Sequence, residues 1–394
     1  MDEFTPEFHL LLQLLRSALA GDVSTDSPPS TREIDWATFV AIVQRHRVGA
    51  LLYRRAAAQL AAQCPEAVTQ QLRAIAEKNT QRALAQSVEL IRIIRCLETA
   101  DVVAMPVKGL ALAEQLYGAI GVRFVGDIDL LIRPEDAVRA DVALRSTGLR
   151  RTIPVQPLTP RQTQEFLLFP HGFGYQRDAP AQRIEMHWGL QGLPDADTVW
   201  LNASSGTICG HPVRTFSPNL NALYLFQHGA QHGWFRLFWL FDVALVLRNP
   251  EIDWEKTVLR ARELGLERAL LQGAALAYSL LGVATPNALQ PRPKERRIVA
   301  ALVTEALRQI ARDPIVYLSI GEWIRSYVIY KVRLHRNRRA KFAFIAPILS
   351  SPANWETVSL PDRWFFLYPI LSPFLWIGRG VSRAIRHRLD RRIT

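Results

Sequence analysis

The sequence predicts an α+β fold, in which a small unit of alternating helices and strands is flanked by two helical regions. Apolar residues recur at helical spacing over residues 6–80 and again over residues 218–311, whereas residues 80–190 alternate between short apolar runs and helical segments. Of the 394 residues 49% are hydrophobic and 21% are charged, which is enough apolar material for a buried core. We divide the chain into an N-terminal helical region, an α/β core, a C-terminal helical domain and a basic, aromatic- and proline-rich C-terminal segment: residues 1–79, 80–215, 216–322 and 323–394.

The N-terminal region is predicted to be helical because its apolar residues fall on one face. Phe8, Leu11 and Leu15 have the spacing of a first helix, and a polar stretch at residues 24–31 ends this pattern. A further amphipathic helix is predicted over residues 79–99, where Leu, Val and Ile recur every three or four positions.

Three short apolar segments of the core are predicted strands, at residues 102–107, 127–132 and 183–188. The second alternates at first and then becomes fully apolar, as a central strand does. Helices are predicted at residues 110–117 and 134–146, the latter because a proline and two acids occupy its first turn. The residues between that helix and the third strand have no regular pattern and are read as irregular.

After the core the pattern is helical again, and the positive charge is concentrated at the end of the chain. From residue 323 onward 14 Lys and Arg face three acids, so this segment carries +11 of the net charge of +12. The first 322 residues are therefore nearly neutral, unlike a polynucleotide-binding groove, and nucleic acid is an unlikely partner. Helices are predicted at residues 218–248, 254–264, 267–281 and 295–311.

Asp127 and Asp129 are the first candidates for chemistry, because side chains at i and i+2 share one face of a strand. Two carboxylates on one face are too costly to bury without partners. Salt bridges to arginines would satisfy them, and so would a hard divalent cation such as Mg²⁺.

Two neighbouring features favour the cation. Lys108-Gly109 follows a strand and precedes a helix, where glycine permits a sharp turn and the helix start offers free N–H groups to a phosphate. The third strand brings Glu185, with His187 on the same face. This acid is suited either to complete a two-metal site or to accept a proton from an attacking hydroxyl.

His228 and His232 are four residues apart on a predicted helix, a spacing that allows metal binding. No glutamate follows His228, so this is not the zinc-protease pattern. Three roles stay open for the pair: polar packing against the core, contact with substrate or phosphate, and metal binding.

These residues resemble a known family. The segments at 107–117, 126–136 and 185–188, together with Arg123 and the helix at 223–242, are similar to the uncharacterised nucleotidyltransferase family of the DNA polymerase β-like superfamily. The resemblance implies a small mixed sheet whose first strand ends in a phosphate-binding turn. It further implies transfer of a nucleoside monophosphate from an NTP, with ATP the expected donor, to a hydroxyl of a small molecule, peptide or glycan, with release of pyrophosphate.

The resemblance also assigns roles to residues. It implies that Asp127, Asp129 and Glu185 are catalytic and bind two Mg²⁺ (or Mn²⁺) ions. His187, His228 and His232 are, by their positions in the sequence, candidates for facing the substrate. Two positions depart from the superfamily: the turn reads Lys-Gly rather than Gly-Ser or Gly-Gly, and the third acid is Glu rather than Asp. The predicted nucleotide- and phosphate-binding residues are Lys108, Gly109, Arg123 and Gly126.

Three functions fit these observations. The first is a metal-dependent nucleotidyltransferase. The second is a degenerate, non-catalytic relative that senses nucleotide, which the Lys-Gly turn and Glu185 suggest. The third, a nucleic-acid processing enzyme, ranks last because the basic charge is confined to the end of the chain.

The chain is expected to be cytoplasmic, because its acidic start lacks the basic region of a secretory signal and its three cysteines are scattered. The aromatic run at 364–376, followed by the arginine-rich residues 379–392, has two interpretations. It is suited to lie on an anionic membrane surface, and equally to pack against the protein with a solvated basic end.

Overall fold

The computed structural model describes residues 4–21, 34–168, 172–179, 181–190, 192–312, 329–338, 340–342, 351–375 and 378. The polar stretch 24–31, His171 and the basic tail 379–392 lie outside the described residues.

The N-terminal region is helical, as predicted. Its first two helices begin at side chains that cap free backbone N–H groups: Thr5 accepts from the N–H of Phe8, and Asp35 accepts from those of Ala37 and Thr38. The last helix of this region extends from residue 66 to residue 99 and so continues across the predicted boundary between residues 79 and 80. The boundary between the two domains remains a prediction. The helices are α1 (Pro6–Ala20), α2 (Trp36–His46), α3 (Gly49–Arg55), α4 (Ala57–Gln63) and α5 (Glu66–Thr99).

The core contains a mixed five-stranded sheet with strand order β1-β2-β5-β4-β3, which confirms the predicted α+β class. Only the β2–β5 pair is parallel; the other three pairs are antiparallel. The three predicted strands are β1, β2 and β5. The strands are β1 (Met105–Pro106), β2 (Ile128–Leu131), β3 (Arg150–Ile153), β4 (Gly172–Arg177) and β5 (Gln182–His187), and the helices are α6 (Leu110–Tyr117), α7 (Ala137–Ser146) and α8 (Pro160–Leu168).

The prediction of an irregular stretch before the third strand was wrong, because β3, α8 and β4 lie there. Strand β4 is difficult to recognise since glycines alternate with its buried Phe173 and Tyr175. The structure shows why glycine is needed: a Cβ on Gly174 would lie 3.0 Å from Thr152 Oγ1 of the neighbouring strand. Close strand approach therefore requires the residue type that hides the strand in the sequence.

A two-stranded hairpin follows the sheet and was also missed. Strands β6 (Ala203–Ile208) and β7 (His211–Phe216) are joined by Cys209 and Gly210, which both have positive φ. Such two-residue turns match the twist of the strands that they join. The short helix α9 (Ala196–Leu201) precedes this hairpin.

The C-terminal helices confirm the predicted pattern with one correction. The segment predicted as a single helix at 218–248 is two helices, because Gly233 and Trp234 adopt positive φ between them. A Cβ on Gly229 would lie 2.2 Å from the Trp234 ring, so the bend packs the indole directly against the first helix. The helices are α10 (Pro218–Gln231), α11 (Leu237–Leu247), α12 (Trp254–Leu264), α13 (Glu267–Leu281) and α14 (Pro293–Ala311).

The C-terminal segment packs in two places: Tyr330 and Leu334 are buried in the helical domain, whereas residues 351–375 pack on the α/β core. Trp355, Phe365 and Tyr368 belong to the same buried cluster as the apolar residues of the sheet. A second cluster joins the N-terminal helices to α10–α14. Further short helices lie at Tyr330–Leu334 and Pro352–Thr357. Among the described helices, none has the length and apolarity needed to cross a membrane.

Candidate active site

The parallel pairing of β2 with β5 brings the predicted acids together. Asp129 lies directly opposite Glu185 in the register, and His187 follows two residues later on the same strand. Ile128, Leu130 and their partners in β5 are buried, so the polar residues share the opposite face. Residues 56 positions apart in sequence therefore meet at one point of the sheet.

The polar groups form a compact cluster around Asp129, which is 4% exposed. Lys108 Nζ lies 2.8 Å from Asp129 Oδ1. His187 Nε2 lies 3.5 Å from the same oxygen and 3.5 Å from Glu185 Oε2. Asp127 immediately precedes β2, is partly buried, and is acted on by the Asp129 charge.

The Lys108-Gly109 turn holds Lys108 over this strand pair. Gly109 has φ 59° and ψ −117°, a conformation that only glycine adopts readily. A Cβ there would lie 3.3 Å from Val125 Cγ1, close to the segment that leads into Asp127. The main chain is tied to β2 as well, since the Val107 N–H donates to the Asp129 carbonyl at 3.2 Å.

The pKa shifts show a mutually charged cluster. Burial alone would raise the pKa of Asp129, but the Lys108 ammonium and His187 outweigh it and hold the pKa well below the usual range. Burial opposes the charge on His187, yet its contacts with Asp129 and Glu185 raise its pKa to about 9. The same His187 contact lowers the pKa of Glu185. Burial, aided by the Asp129 charge, raises the pKa of Asp127 to about 6.

The carboxylates of Asp129 and Glu185 are the part of this cluster that fits a hard divalent cation, because Mg²⁺ takes oxygen ligands and a protonated His187 has no lone pair to offer. Within the described residues, one ligand atom each from Asp129, Glu185 and His187 lies within 4.8 Å of the other two. Opposite ligands of a Mg²⁺ ion are separated by about 4.2 Å, twice the typical Mg–O distance, so small movements suffice. Asp129 Oδ2 is buried and has no hydrogen-bond partner in this part of the chain, and an unpaired carboxylate oxygen is costly unless a cation meets it.

A cavity of about 180 Å³ opens beside the cluster, between the sheet and α10. Gln227 in its wall is 1% exposed, and among the residues that the structure describes neither its amide nitrogen nor its amide oxygen has a partner. The lining residues are Lys108, Glu185, His187, Leu190, Tyr224, Gln227, His228, Gln231 and His232.

His228 and His232 contact each other at this cavity, with ring centroids 4.7 Å apart. Both pack against Trp239, at centroid distances of 5.3 and 5.1 Å. Burial, together with the charge of Lys108, holds the pKa of His228 well below its usual value. His228 is therefore neutral at physiological pH, and it is at the same time a packing residue and a wall of the cavity.

Arg123 is directed away from the cluster, toward Asp242 of α11. Its Nε lies 3.0 Å from both Asp242 oxygens and its Nη2 lies 2.8 Å from Oδ2. The Tyr117 hydroxyl donates to the same carboxylate at 2.6 Å. This buried network holds the segment before Asp127 against the helical domain. The Arg123 guanidinium, which was predicted to bind phosphate, is therefore already bound to Asp242.

Sequence reasoning missed Tyr224 and Gln227. Tyr224 precedes His228 on α10 by one helical turn, which puts it on the face that carries the two histidines, and Gln227 immediately precedes His228. That spacing was visible in the sequence. The unpartnered state of the Gln227 amide, however, depends on how α10 packs and has no local signal.

The Lys108-Gly109 turn thus lies beside acids on two adjacent parallel strands, which is the arrangement expected from the resemblance to nucleotidyltransferases. The chain belongs to a family described as uncharacterised nucleotidyltransferases, whose sequence profile matches residues 32–282. The predicted family is thereby confirmed. Comparisons with curated proteins and with solved structures found no match.

Proposed function

We propose that the protein transfers a nucleoside monophosphate from an NTP, with ATP the expected donor, to a hydroxyl of a small molecule, peptide or glycan. Pyrophosphate is the second product. The observation that carries this proposal is the register of β2 and β5, which sets Asp129 against Glu185 beside the Lys108-Gly109 turn. Family membership supports nucleotidyl transfer as the class of reaction.

Asp127, Asp129 and Glu185 are the residues that would hold two Mg²⁺ (or Mn²⁺) ions in this proposal. Such ions neutralise the triphosphate and the charge that develops on the leaving pyrophosphate. The electrostatics agree, because Asp129 and Glu185 have lowered pKa values and are carboxylates at neutral pH. Asp127 requires a pH above about 6 to be ionised in the metal-free protein.

The proposed transfer forms one bond and breaks one. The acceptor oxygen bonds to the α-phosphorus, and the bond between that phosphorus and the bridging oxygen breaks, leaving its electron pair on pyrophosphate. Glu185 is the group placed to accept the acceptor's proton, because its side chain is partly exposed at the cavity. Lys108 stays charged, since the Asp129 charge outweighs burial and raises its pKa, and it is placed to offset triphosphate charge.

The acceptor is proposed to bind in the cavity between Glu185 and α10. His187, His228 and His232 face it together with the unpartnered amide of Gln227. The wall offers hydrogen-bonding groups but only Lys108, Glu185 and protonated His187 as charges, and these belong to the catalytic cluster. A neutral, hydroxyl-bearing acceptor group suits this wall.

The proposal is tested by pyrophosphate release from each NTP with Mg²⁺, supplied with pooled small-molecule, peptide and glycan acceptors. Asp129→Asn keeps the shape of the side chain but removes its charge. We expect a loss of at least about 100-fold, since even residues that only support a metal ligand cost 10–100-fold when changed. Asp178→Asn on the exposed surface is the matched control. Equal turnover in wild type and Asp129→Asn would remove Asp129 from the reaction.

A nucleotide sensor without catalysis is the second candidate. The observation that favours it is the Lys108–Asp129 ion pair, in which an ammonium lies at a position suited to a catalytic cation. Calorimetry that detects NTP binding, combined with no pyrophosphate release for any acceptor pool, would support the sensor over the transferase.

We also propose a peripheral contact with an anionic membrane through residues 364–394. Four large apolar side chains in the described part are 46–71% exposed: Trp364, Phe366, Ile370 and Phe374. The arginine-rich tail follows them directly in the sequence. Flotation with phosphatidylglycerol vesicles should carry the wild type but not Phe366→Ser/Phe374→Ser, and equal flotation would refute the contact.

A further inference from the structure

Two arginines from the N-terminal helices share one aromatic ring. Arg47 is the C-terminal cap of α2, and its guanidinium carbon lies 4.2 Å from the Phe124 ring centroid. Arg82 of α5 has its guanidinium carbon 5.2 Å from the same centroid. Nowhere in the described ranges does either guanidinium form an ion pair with an acid. The Phe124 ring therefore positions both guanidinium groups, and no acid of the described residues neutralises their charge.

This pair adjoins the catalytic strand. Arg47 Nη1 lies 3.6 Å from the point that a Cβ on Gly126 would occupy, and Gly126 is exposed and directly precedes Asp127. The loop that carries Phe124 is fixed to α5, since Gln86 Nε2 donates to the Gly126 carbonyl at 3.1 Å. The arginines therefore flank the entrance to the acidic cluster on the Asp127 side.

The chemistry of this arrangement selects an anion with several oxygens. A guanidinium on an aromatic face keeps its N–H edge free, and that edge matches the oxygens of a phosphate. An acidic protein surface would have to approach the carboxylates of the cluster, which would repel it. A metal-bound polyphosphate would instead be attracted. Cations held by the acids would bind the phosphates nearest the cluster, and the arginines would bind the phosphates furthest from it.

We infer that Arg47 and Arg82, held on Phe124, form a subsite for the terminal phosphates of the NTP. This inference rests on the proposed function and extends it, because the helical region before residue 80 then completes the nucleotide site. It also replaces Arg123, which is bound to Asp242, as the source of guanidinium groups for phosphate.

The test uses the full chain and two probes, Mg·ATP and inorganic tripolyphosphate with Mg²⁺, with affinities measured by calorimetry. Arg47→Gln and Arg82→Gln should each weaken binding of both probes about 10-fold, the effect of losing one charge-assisted hydrogen bond. Adenosine binding should stay unchanged. Arg95→Gln is the control, because Arg95 is exposed on the same helix about 20 Å from Arg82 at 1.5 Å per residue.

Affinities for tripolyphosphate that are the same in Arg47→Gln, Arg82→Gln and Arg95→Gln would overturn the subsite, and so would a wild type that binds no tripolyphosphate. Arg47→Lys guards against misfolding as the cause of an effect, since it keeps the charge and should retain part of the affinity. Failure of the proposed function looks different: tripolyphosphate binds through the arginines, but no NTP is turned over.

Discussion

Two buried glutamines offer a paired test of what the cavity is for. Gln227 of α10 is 1% exposed and its amide finds no partner in the described part of the chain, whereas Gln272 of α13 is 0% exposed and hydrogen-bonded through both amide atoms. Gln272 Oε1 accepts from the Trp234 indole at 3.1 Å and lies 3.0 Å from the Tyr330 hydroxyl, and its Nε2 donates to the Leu302 carbonyl at 2.7 Å. Methionine has nearly the same length and shape as glutamine without the amide.

The two substitutions should therefore have opposite signs. A buried polar group without a partner costs about 1–3 kcal/mol, so Gln227→Met should raise the free energy of unfolding by about 2 kcal/mol. Gln272→Met removes the acceptor of the Trp234 N–H and the donor to the Leu302 carbonyl, while the Tyr330 hydroxyl keeps the Ala230 carbonyl as its acceptor, and the change should lower that free energy by about 3 kcal/mol. A stabilised Gln227→Met protein should at the same time have a raised KM for the acceptor, because sites for ligands are often kept at the expense of stability.

Urea unfolding of both variants and the wild type measures the two free energies, and comparable m-values confirm that the same transition is compared. A Gln227→Met variant destabilised by about 1 kcal/mol or more would show that the Gln227 amide is satisfied in the folded protein. The reasoning that the amide awaits a ligand would then be refuted.

Three further predictions concern the site and its support. The pKa of His187 is raised from 6.5 to about 9, so the stability that its charge contributes is complete below pH 6.5 and is lost as the pH rises through 9. Urea unfolding in EDTA at a series of pH values should show this loss, of up to about 3 kcal/mol, in the wild type and not in His187→Gln. Asp242→Asn leaves the buried Arg123 charge uncompensated and should destabilise by about 3–5 kcal/mol in urea unfolding, and a change under 1 kcal/mol would contradict the buried network. Gly109→Ala forces alanine into φ 59°, ψ −117°, and should cost about 1–3 kcal/mol and lower NTP affinity in calorimetry; unchanged affinity would argue against the turn as a phosphate site.

The part of the fold that the sequence predicted is the part with strong local signals. Strand β2 is apolar throughout apart from its aspartate, and α13 and α14 show long helical periods with buried faces. Among the strands that were missed, β3 and β4 are held by pairing with each other and by glycines that allow close approach. Their stability comes from tertiary contacts, which leave little trace in local composition.

The residues of the candidate site show the same contrast between local sequence signals and tertiary contacts. Asp129 and Glu185 were placed together because both lie on predicted strands within recognisable segments, and the structure puts them in register. Arg123 was expected at the phosphates because of its position in the sequence, yet Asp242, 119 residues away, binds its guanidinium. The Arg47–Phe124 contact likewise joins distant segments, and only the folded chain reveals it.

Binding of Mn²⁺ followed by electron paramagnetic resonance, with and without ATP, shows whether β2 and β5 form a cation site, and it requires no knowledge of the acceptor. We expect ATP to strengthen Mn²⁺ binding to the wild type and to Asp178→Asn, and we expect Asp129→Asn and Glu185→Gln each to abolish this effect. Equal Mn²⁺ affinity in the wild type and in both cluster variants would contradict a cation site formed by β2 and β5.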